Sequence, residues 1–197
     1  MDPFPEMRDL GAAPDAPSPI TPTQRSRVKV GVFDGGIDLT NPLIANFATE
    51  GRSIGTTALA EGIRHGTAVA GAVLYGPLNS LSGGSIVPQP TVTVEGFRVL
   101  PTVNTRDFEL YEAIDLIEEI VPVRNDIQVY NISLGPRGPI LDDDITRFTY
   151  ALDDLAWNYK KLFVIAVGND GELTEPLNRI QAPSDRRRRI LIRLHVR

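Results

Sequence analysis

Several residue types and patterns are scarce in this 197-residue sequence, and each absence excludes a class of structure or site. Cysteine is absent, which excludes disulfide bonds and thiolate metal sites. No apolar run reaches the ~20 residues that span a bilayer, so we expect no membrane partner. The net charge is −5 and the basic residues are scattered except near the C-terminus, so we expect no nucleic-acid partner. No secretory signal is visible, and we expect a soluble, cytoplasmic chain as it stands.

The composition divides the chain into three parts. Residues 1–27 contain six prolines among small and polar residues, which is typical of a flexible or polyproline-like leader. Residues 28–185 are long enough to form one globular domain. Residues 186–197 form an atypical Arg-rich tail that begins with four arginines and continues with the alternation of a half-buried strand. The arginines could contact an acidic partner, but we interpret the tail as solvated or non-native.

Residues 28–185 alternate between strand-like and helix-like patterns. Short apolar runs rich in β-branched residues predict strands at Val28–Phe33, Thr91–Leu100, Ile127–Ser133 and Leu162–Val167. Runs of small residues, or apolar residues at helical spacing, predict helices at residues 65–75, 110–121 and 145–159. Strands that alternate with helices predict an α/β fold with a mostly parallel sheet.

The first predicted strand ends in an acidic residue followed by two glycines. Asp34 is therefore expected at the tip of the strand, where Gly35 and Gly36 allow the backbone to turn tightly. Residues just past the carboxyl ends of parallel strands line the crevice in which open α/β folds bind ligands. Asp34 is thus a candidate site residue, and its simpler alternative is a carboxylate that caps a turn. We interpret Asp38 as a turn or capping residue.

Three later segments also combine a polar residue with small ones. His65 precedes Gly66-Thr67 and a helix of small residues, which places the imidazole at a helix N-terminus, where the dipole favours the neutral ring. A neutral imidazole can act as a general base, although a lone histidine is more often structural. Asn169 lies in a Gly-Asn-Asp-Gly stretch that, without further context, is a turn. The third segment, Ser133-Leu134-Gly135, ends a strand.

Taken together and in this order, four motifs resemble those of the subtilisin-like serine proteases, the subtilase or peptidase S8 family. The motifs are Asp34-Gly35-Gly36-Ile37-Asp38, His65-Gly66-Thr67-Ala68-Val69-Ala70-Gly71, Asn131-Ile132-Ser133-Leu134-Gly135 and Ala166-Val167-Gly168-Asn169-Asp170-Gly171. The resemblance covers roughly residues 28–185 and implies a three-layer fold and serine endopeptidase activity through a Ser-His-Asp triad. Subtilases are often secreted.

The resemblance implies a role for each motif. Asp34 would orient the imidazole, His65 would be the general base, and the Asn169 side chain would donate to the oxyanion. The segment Ser133-Leu134-Gly135 would pair with a peptide or protein substrate in extended conformation. An Asp34 oxygen should then lie within about 3.5 Å of the imidazole.

Two departures from the family pattern bear on function. The Gly-Thr-Ser nucleophile motif occurs nowhere in the 197 residues, so we interpret the chain as the N-terminal part of a subtilase domain, C-terminally incomplete, truncated before the catalytic serine and inactive as it stands. The alternative is a non-catalytic peptide-binding or interaction protein derived from a subtilase. Pro101–Thr105 also replaces a segment of the cleft that is often Gly-rich in the family, which bears on substrate preference.

A third alternative, a nucleotide-binding α/β domain, is disfavoured because no P-loop or Gly-x-Gly-x-x-Gly motif follows a strand. No cofactor is expected. Asp142, Asp143 and Asp144 could bind calcium, which many subtilases use for stability, but they lack the spaced ligands of a calcium loop. We interpret them as acidic residues that suit the dipole at the start of a helix, and we predict no metal ligands.

Overall fold

The computed structural model describes residues 17–23, 26–78, 81, 84–136 and 145–166. The strands in these ranges are β1 (Lys29–Asp34), β2 (Ala48–Glu50), β3 (Thr93–Arg98), β4 (Ile127–Ile132) and β5 (Leu162–Ile165). They form one sheet in the order β2-β3-β1-β4-β5, and every neighbouring pair is parallel. The predicted parallel sheet is confirmed, with β1 at its centre.

Helices cover both faces of the sheet and give the chain three layers. The helices are α1 (Ala60–Tyr75), α2 (Tyr111–Ile120) and α3 (Arg147–Tyr159), and a 3₁₀ turn at Val121–Val123 follows α2. α1 packs on one face in a core cluster that includes Val32, Ala70 and Val94. α2 and α3 pack on the other face in a cluster that includes Phe33, Ile117, Tyr130 and Leu152. None of these three helices is long and apolar enough to cross a membrane.

The sequence explains why these elements form. Every residue of β1 after Lys29 is buried, because the strand is central and is covered on both faces, so it reads as a nearly continuous apolar run. α2 ends just before the 3₁₀ turn that contains Pro122, a residue that cannot continue a helical hydrogen-bond ladder. α3 begins after Thr146, whose hydroxyl oxygen accepts the N–H of Thr149 and satisfies one of the free N–H groups of the first turn.

The structure differs from the predicted elements in two places. α1 begins at Ala60, five residues before the predicted start. The local pattern does not predict these first residues as helix, because Gly62 and Gly66 lower helix propensity. Both glycines are buried where the helix packs. The sequence does not predict β2, since this strand has three residues and two of them, Thr49 and Glu50, are exposed. Tertiary packing, rather than local pattern, decides both elements.

Several predictions lie outside the described residues. These are the leader before residue 17, the segment Asp142–Asp144, the Asn169 motif and the tail at 186–197. For α3 the described N-cap is Thr146, and the dipole role of the three acidic residues stays a prediction.

Near the amino end of the sheet, charged residues of β1, β3 and the turn before β4 form one network. Glu95 accepts hydrogen bonds from Lys29 Nζ (2.8 Å) and Arg124 Nη2 (2.7 Å), and its other oxygen contacts Arg124 Nη1. Asp126 contacts the same two cations, 3.1 Å from Lys29 Nζ and 2.8 Å from Arg124 Nη2. The buried charge of Glu95 is therefore compensated by two cations.

Candidate active site

Asp34 ends the central strand of the sheet. Because β3 and β4 flank β1, the segments that follow them lie on opposite sides of Asp34. Residues 101–107 come after β3, and Ser133–Gly135 comes directly after β4. The carboxyl edge of a parallel sheet is where α/β folds place their binding crevices, so Asp34 and Ser133–Gly135 lie at the expected edge.

Asp34 and His65 form a buried pair at this edge. His65 Nδ1 lies 2.8 Å from Asp34 Oδ1 and 3.0 Å from Oδ2, which confirms the predicted distance. The backbone N–H of Gly35 also donates to Asp34 Oδ1, at 2.7 Å. Only 1% of Asp34 and 7% of His65 is exposed. An ionised carboxylate can only accept, so Nδ1 must carry the proton, and Nε2 is then the nitrogen able to accept one.

The electrostatics of Asp34 are set mainly by burial. Removal from water raises the pKa of its carboxyl group, and the hydrogen bonds from His65 and Gly35 oppose that rise. Arg98 lies opposite Asp34 in the β1–β3 register, but its guanidinium donates to Thr56 Oγ1 (3.0 Å) and to the Ile54 carbonyl (2.8 Å). In the described part of the chain, the ion pair of Asp34 is with His65 alone.

The helix that carries His65 is fixed against the turn after Asp34. A Cβ added at Gly66 would lie 2.1 Å from the Gly36 carbonyl oxygen and 3.2 Å from Asp34 Oδ1, so only glycine allows the helix to approach this closely. Thr67 Oγ1 accepts the N–H of Asp38 (2.8 Å) and donates to the Ile63 carbonyl (2.6 Å). Gly66 and Thr67 thereby set the position of the imidazole relative to the carboxylate.

The predicted position of His65 at a helix N-terminus is wrong. α1 begins at Ala60, so His65 lies in the second turn of the helix, where the macrodipole is weaker than at the end. The imidazole is held instead by the close contact at Gly66 and by the bridge through Thr67. A glycine and a threonine directly after the histidine were the signal for this contact, which periodicity alone does not reveal.

The segment Ser133–Gly135 lies at the same edge of the sheet as Asp34. Ser133 Oγ donates to Asn131 Oδ1 at 2.8 Å, and Leu134 is buried with 4% exposure. The hydroxyl of Ser133 is thus engaged within its own segment. Its role in substrate binding stays a prediction, as does the role of Asn169, which lies outside the described residues.

Asp38 forms a local turn, as the sequence predicts. Its Oδ1 accepts the N–H of Thr40 (2.9 Å) and the hydroxyl of Thr40 (2.6 Å), and these bonds lower the pKa of the Asp38 carboxyl group. A cavity of about 510 Å³ opens between this turn and α1, and Asp34 and His65 are not among its lining residues. Within the described residues, no group of three or more His, Cys, Asp or Glu is placed to hold a metal ion.

Comparison with known proteins supports a specific family. Residues 25–190 match the profile of peptidase S8, the Subtilase family. The A-subunit of the AB5 toxin from E. coli is a similar solved structure, with 22% identity, a TM-score of 0.50 and coverage of 79% of this chain and 50% of that chain. The patellamide maturation protease PatA has 20% identity and a TM-score of 0.46 over 75% of this chain and 50% of that chain.

The MycP3 protease of the type VII (ESX-3) secretion system has 23% identity and a TM-score of 0.48 over 73% of this chain and 41% of that chain. The chain thus spans about half the length, or less, of these three solved structures. Among curated proteins, none matches it significantly. Because the profile match extends over most of the chain, the chain belongs to the subtilase family.

Proposed function

We propose that this chain supplies the acid–base pair of a subtilase site that hydrolyses peptide bonds, with His65 as the general base and Asp34 as the carboxylate that orients it. The observation that supports this most directly is the pair of short distances from His65 Nδ1 to the two oxygens of a buried Asp34. Such an arrangement fixes the tautomer of the imidazole and stabilises its protonated form.

The chemistry would proceed by acyl transfer. His65 Nε2 accepts the proton of an attacking hydroxyl as its oxygen adds to the scissile carbonyl, and gives the proton to the amine that leaves when the C–N bond breaks. Water then attacks the resulting ester with the same base, which releases the acid and restores the hydroxyl. Asp34 stays ionised and stabilises the imidazolium that forms between the two transfers. In this proposal, Asn169 donates to the oxyanion and Ser133–Gly135 pairs with an extended peptide or protein substrate.

The 197 residues contain no Gly-Thr-Ser nucleophile motif. None of the eight serines lies in a Gly-Thr-Ser context. In subtilisin, a member of the same family, loss of the nucleophile alone costs about 10⁶ in turnover and leaves ~10³–10⁴ over water. We therefore expect no measurable peptidase turnover from this chain. The second candidate function, peptide binding without catalysis, is favoured by the same missing motif.

Two measurements test the expected inactivity. A serine-directed fluorophosphonate probe and a casein assay at neutral pH should detect neither labelling nor cleavage. Stoichiometric labelling that disappears in His65→Ala would show that another serine of the chain serves as the nucleophile. It would overturn the expected inactivity while supporting the base role of His65.

The acid–base pair itself is tested by proton NMR. A hydrogen bond from His65 to a buried carboxylate should give an Nδ1–H resonance far downfield of the backbone amides. Asp34→Asn should shift or remove it, whereas Asp38→Asn, which alters an exposed turn, should not. An unchanged resonance in Asp34→Asn would refute the pairing.

A further inference from the structure

Several backbone groups of the loop at residues 101–107, on one side of Asp34, are occupied by side chains. Glu112, in the first turn of α2, accepts the N–H of Val103 at 2.6 Å and the N–H of Asn104 at 2.8 Å. Each carboxylate oxygen thus binds one backbone donor. These are charge-assisted bonds, which are stronger than those between neutral groups.

The carbonyl groups of Pro101 and Asn104 in the same loop are also engaged. The Asn104 carbonyl accepts the Thr102 hydroxyl at 3.0 Å and the N–H of Asp107 at 2.9 Å. The Pro101 carbonyl accepts the hydroxyl of Thr56 at 2.6 Å. A backbone group that is already paired offers little to an incoming strand, because a new bond must replace an existing one.

Glu112 is itself held in place. Asp107 accepts the N–H of Tyr111 at 2.8 Å and the N–H of Glu112 at 2.9 Å, so it caps the first turn of α2. The helix start therefore binds the loop twice, through Asp107 and through Glu112. This reciprocal arrangement fixes the loop in one conformation.

The segment on the other side of Asp34 differs. In the described part of the chain, neither Leu134 nor Gly135 forms a backbone hydrogen bond beyond the end of β4. Both residues follow β4 closely along the chain, and backbone groups without a partner can pair with an extended polypeptide. The two walls of the crevice thus offer unequal pairing surfaces.

We propose that Glu112 makes the crevice one-sided, so that an extended polypeptide pairs through its backbone with Ser133–Gly135 only. Residues 101–105 of the loop form the opposite wall, the 101–105 wall, which contacts the polypeptide through side chains such as the exposed Val103. This inference rests on the proposed peptide-hydrolysing function. A one-sided crevice takes unfolded or extended polypeptide and depends on side-chain contacts on the 101–105 wall for selectivity. Val103, with 68% exposure, is the apolar group presented there.

Amide hydrogen exchange on the full chain tests the proposal, with unfolded casein as the probe because its varied sequence offers many registers. Without casein, the amides of Val103 and Asn104 should be protected. At casein concentrations near 100 Kd, protection at Leu134 or Gly135 should rise by up to about 100-fold, and protection at Val103 and Asn104 should stay the same.

The outcomes distinguish the one-sided crevice from the proposed function. A rise in protection on both walls would overturn the one-sided crevice while leaving the proposed function intact. If protection rises on neither wall, the result would count against the peptide crevice, and so against the proposed function.

A variant pair tests Glu112 directly. Glu112→Gln keeps the shape of the side chain but leaves only one acceptor oxygen. The backbone amide of Val103 or Asn104 therefore loses its charge-assisted bond, and its exchange should accelerate by about 10- to 100-fold. Glu109→Gln removes the same charge nearby and should change neither rate. Unchanged exchange in a folded Glu112→Gln would refute the role of Glu112, and the wild-type exchange pattern remains decisive if the variant does not fold.

Discussion

Near the amino end of the sheet Glu95 is buried between two cations, whereas at the carboxyl end Asp34 is buried with one imidazole and one backbone N–H. The hydrogen bond from Arg124, with a further contribution from Lys29, lowers the pKa of Glu95 despite its burial. At Asp34 burial is the dominant cause, and it raises the pKa. The pKa values of the two carboxyl groups are therefore shifted in opposite directions.

The difference teaches which buried carboxylate stabilises the fold. A charge with compensating cations is tolerated and favours folding, but a charge whose main partner can be neutral opposes folding when it ionises. Perturbed carboxyl groups of the second kind are typical of functional sites. The four predictions below test this contrast, from the largest expected effect to the smallest.

The largest effect is expected at the amino end. Glu95→Ala should lower the free energy of unfolding by about 3 kcal/mol, because it removes the buried partner of two cations. This value is the lower limit for a broken buried ion pair, which applies here because Lys29 and Arg124 are partly exposed. Glu119→Ala, which removes an exposed ion pair with Arg52, should cost less than about 1 kcal/mol. Urea unfolding at pH 7 followed by circular dichroism measures both, and equal losses would contradict the contrast.

The second prediction concerns the packing at the carboxyl end. Gly66→Ala should destabilise the fold by about 1–3 kcal/mol, because the new methyl group meets the Gly36 carbonyl, and it should shift the His65 Nδ1–H resonance. Gly71→Ala lies in the same helix, where the nearest atom, Ile44 Cδ1, is 3.9 Å away. It should stabilise the helix by up to about 1 kcal/mol. The thermal unfolding midpoints of both variants test this prediction, and a Gly66→Ala variant as stable as the parent chain would refute the close contact.

The third prediction is a pH dependence of opposite sign at the two ends. The raised pKa of Asp34 means that its ionisation opposes folding, so Asp34→Asn should stabilise the chain by about 0.5–2 kcal/mol at pH 7. The gain should vanish as the pH falls below about 4, where Asp34 is protonated in both states. A loss of stability at pH 7 would show that ionised Asp34 favours the fold.

For Glu95 the lowered pKa gives the reverse dependence. Its contribution is present above the unfolded pKa of about 4.3 and is lost as the pH falls through the lower folded value. Glu95→Ala should therefore weaken the acid-induced loss of stability. Urea titrations between pH 2 and pH 7 would reveal both slopes, and parallel curves for the two variants would contradict the assignment.

The smallest effect is expected at Tyr130, near the Glu95 network. Its buried hydroxyl forms no hydrogen bond with a described residue, and burial raises its pKa to about 12. Tyr130→Phe should leave the free energy of unfolding unchanged or raise it slightly, because an unpaired buried hydroxyl costs free energy. Tyr75→Phe, which removes a 2.6 Å bond to the Leu43 carbonyl, should cost about 1 kcal/mol. A larger loss at Tyr130 would reveal a partner, such as a buried water.

The sequence predicts the central sheet well, because buried parallel strands such as β1 and β4 are short apolar runs. It also predicts the approach of Asp34 to His65, since the motifs that carry them match a family pattern. The start of α1 could not be read locally, because Gly62 and Gly66 lower helix propensity and their burial depends on the rest of the fold.

Contacts between distant segments were equally inaccessible. Glu95 and Arg124 are separated by 29 residues and belong to different elements, so no periodicity links them. Glu112 follows a helical pattern as an ordinary polar residue, and only the folded loop shows that it binds Val103 and Asn104. Such pairs depend on topology, which single-residue patterns do not specify.

The strand order also governs how the chain can fold. β1 is made early, but its neighbour β4 is completed about a hundred residues later, and parallel pairing across such separations is slow. At ~5–20 residues per second, a ribosome needs on the order of 5–20 s to deliver β4 after β1. During that interval the apolar strand that ends in Asp34 lacks at least one of its two neighbours, β3 and β4. The aggregation risk of this chain during synthesis therefore depends on its strand order as well as on the stability of the finished sheet.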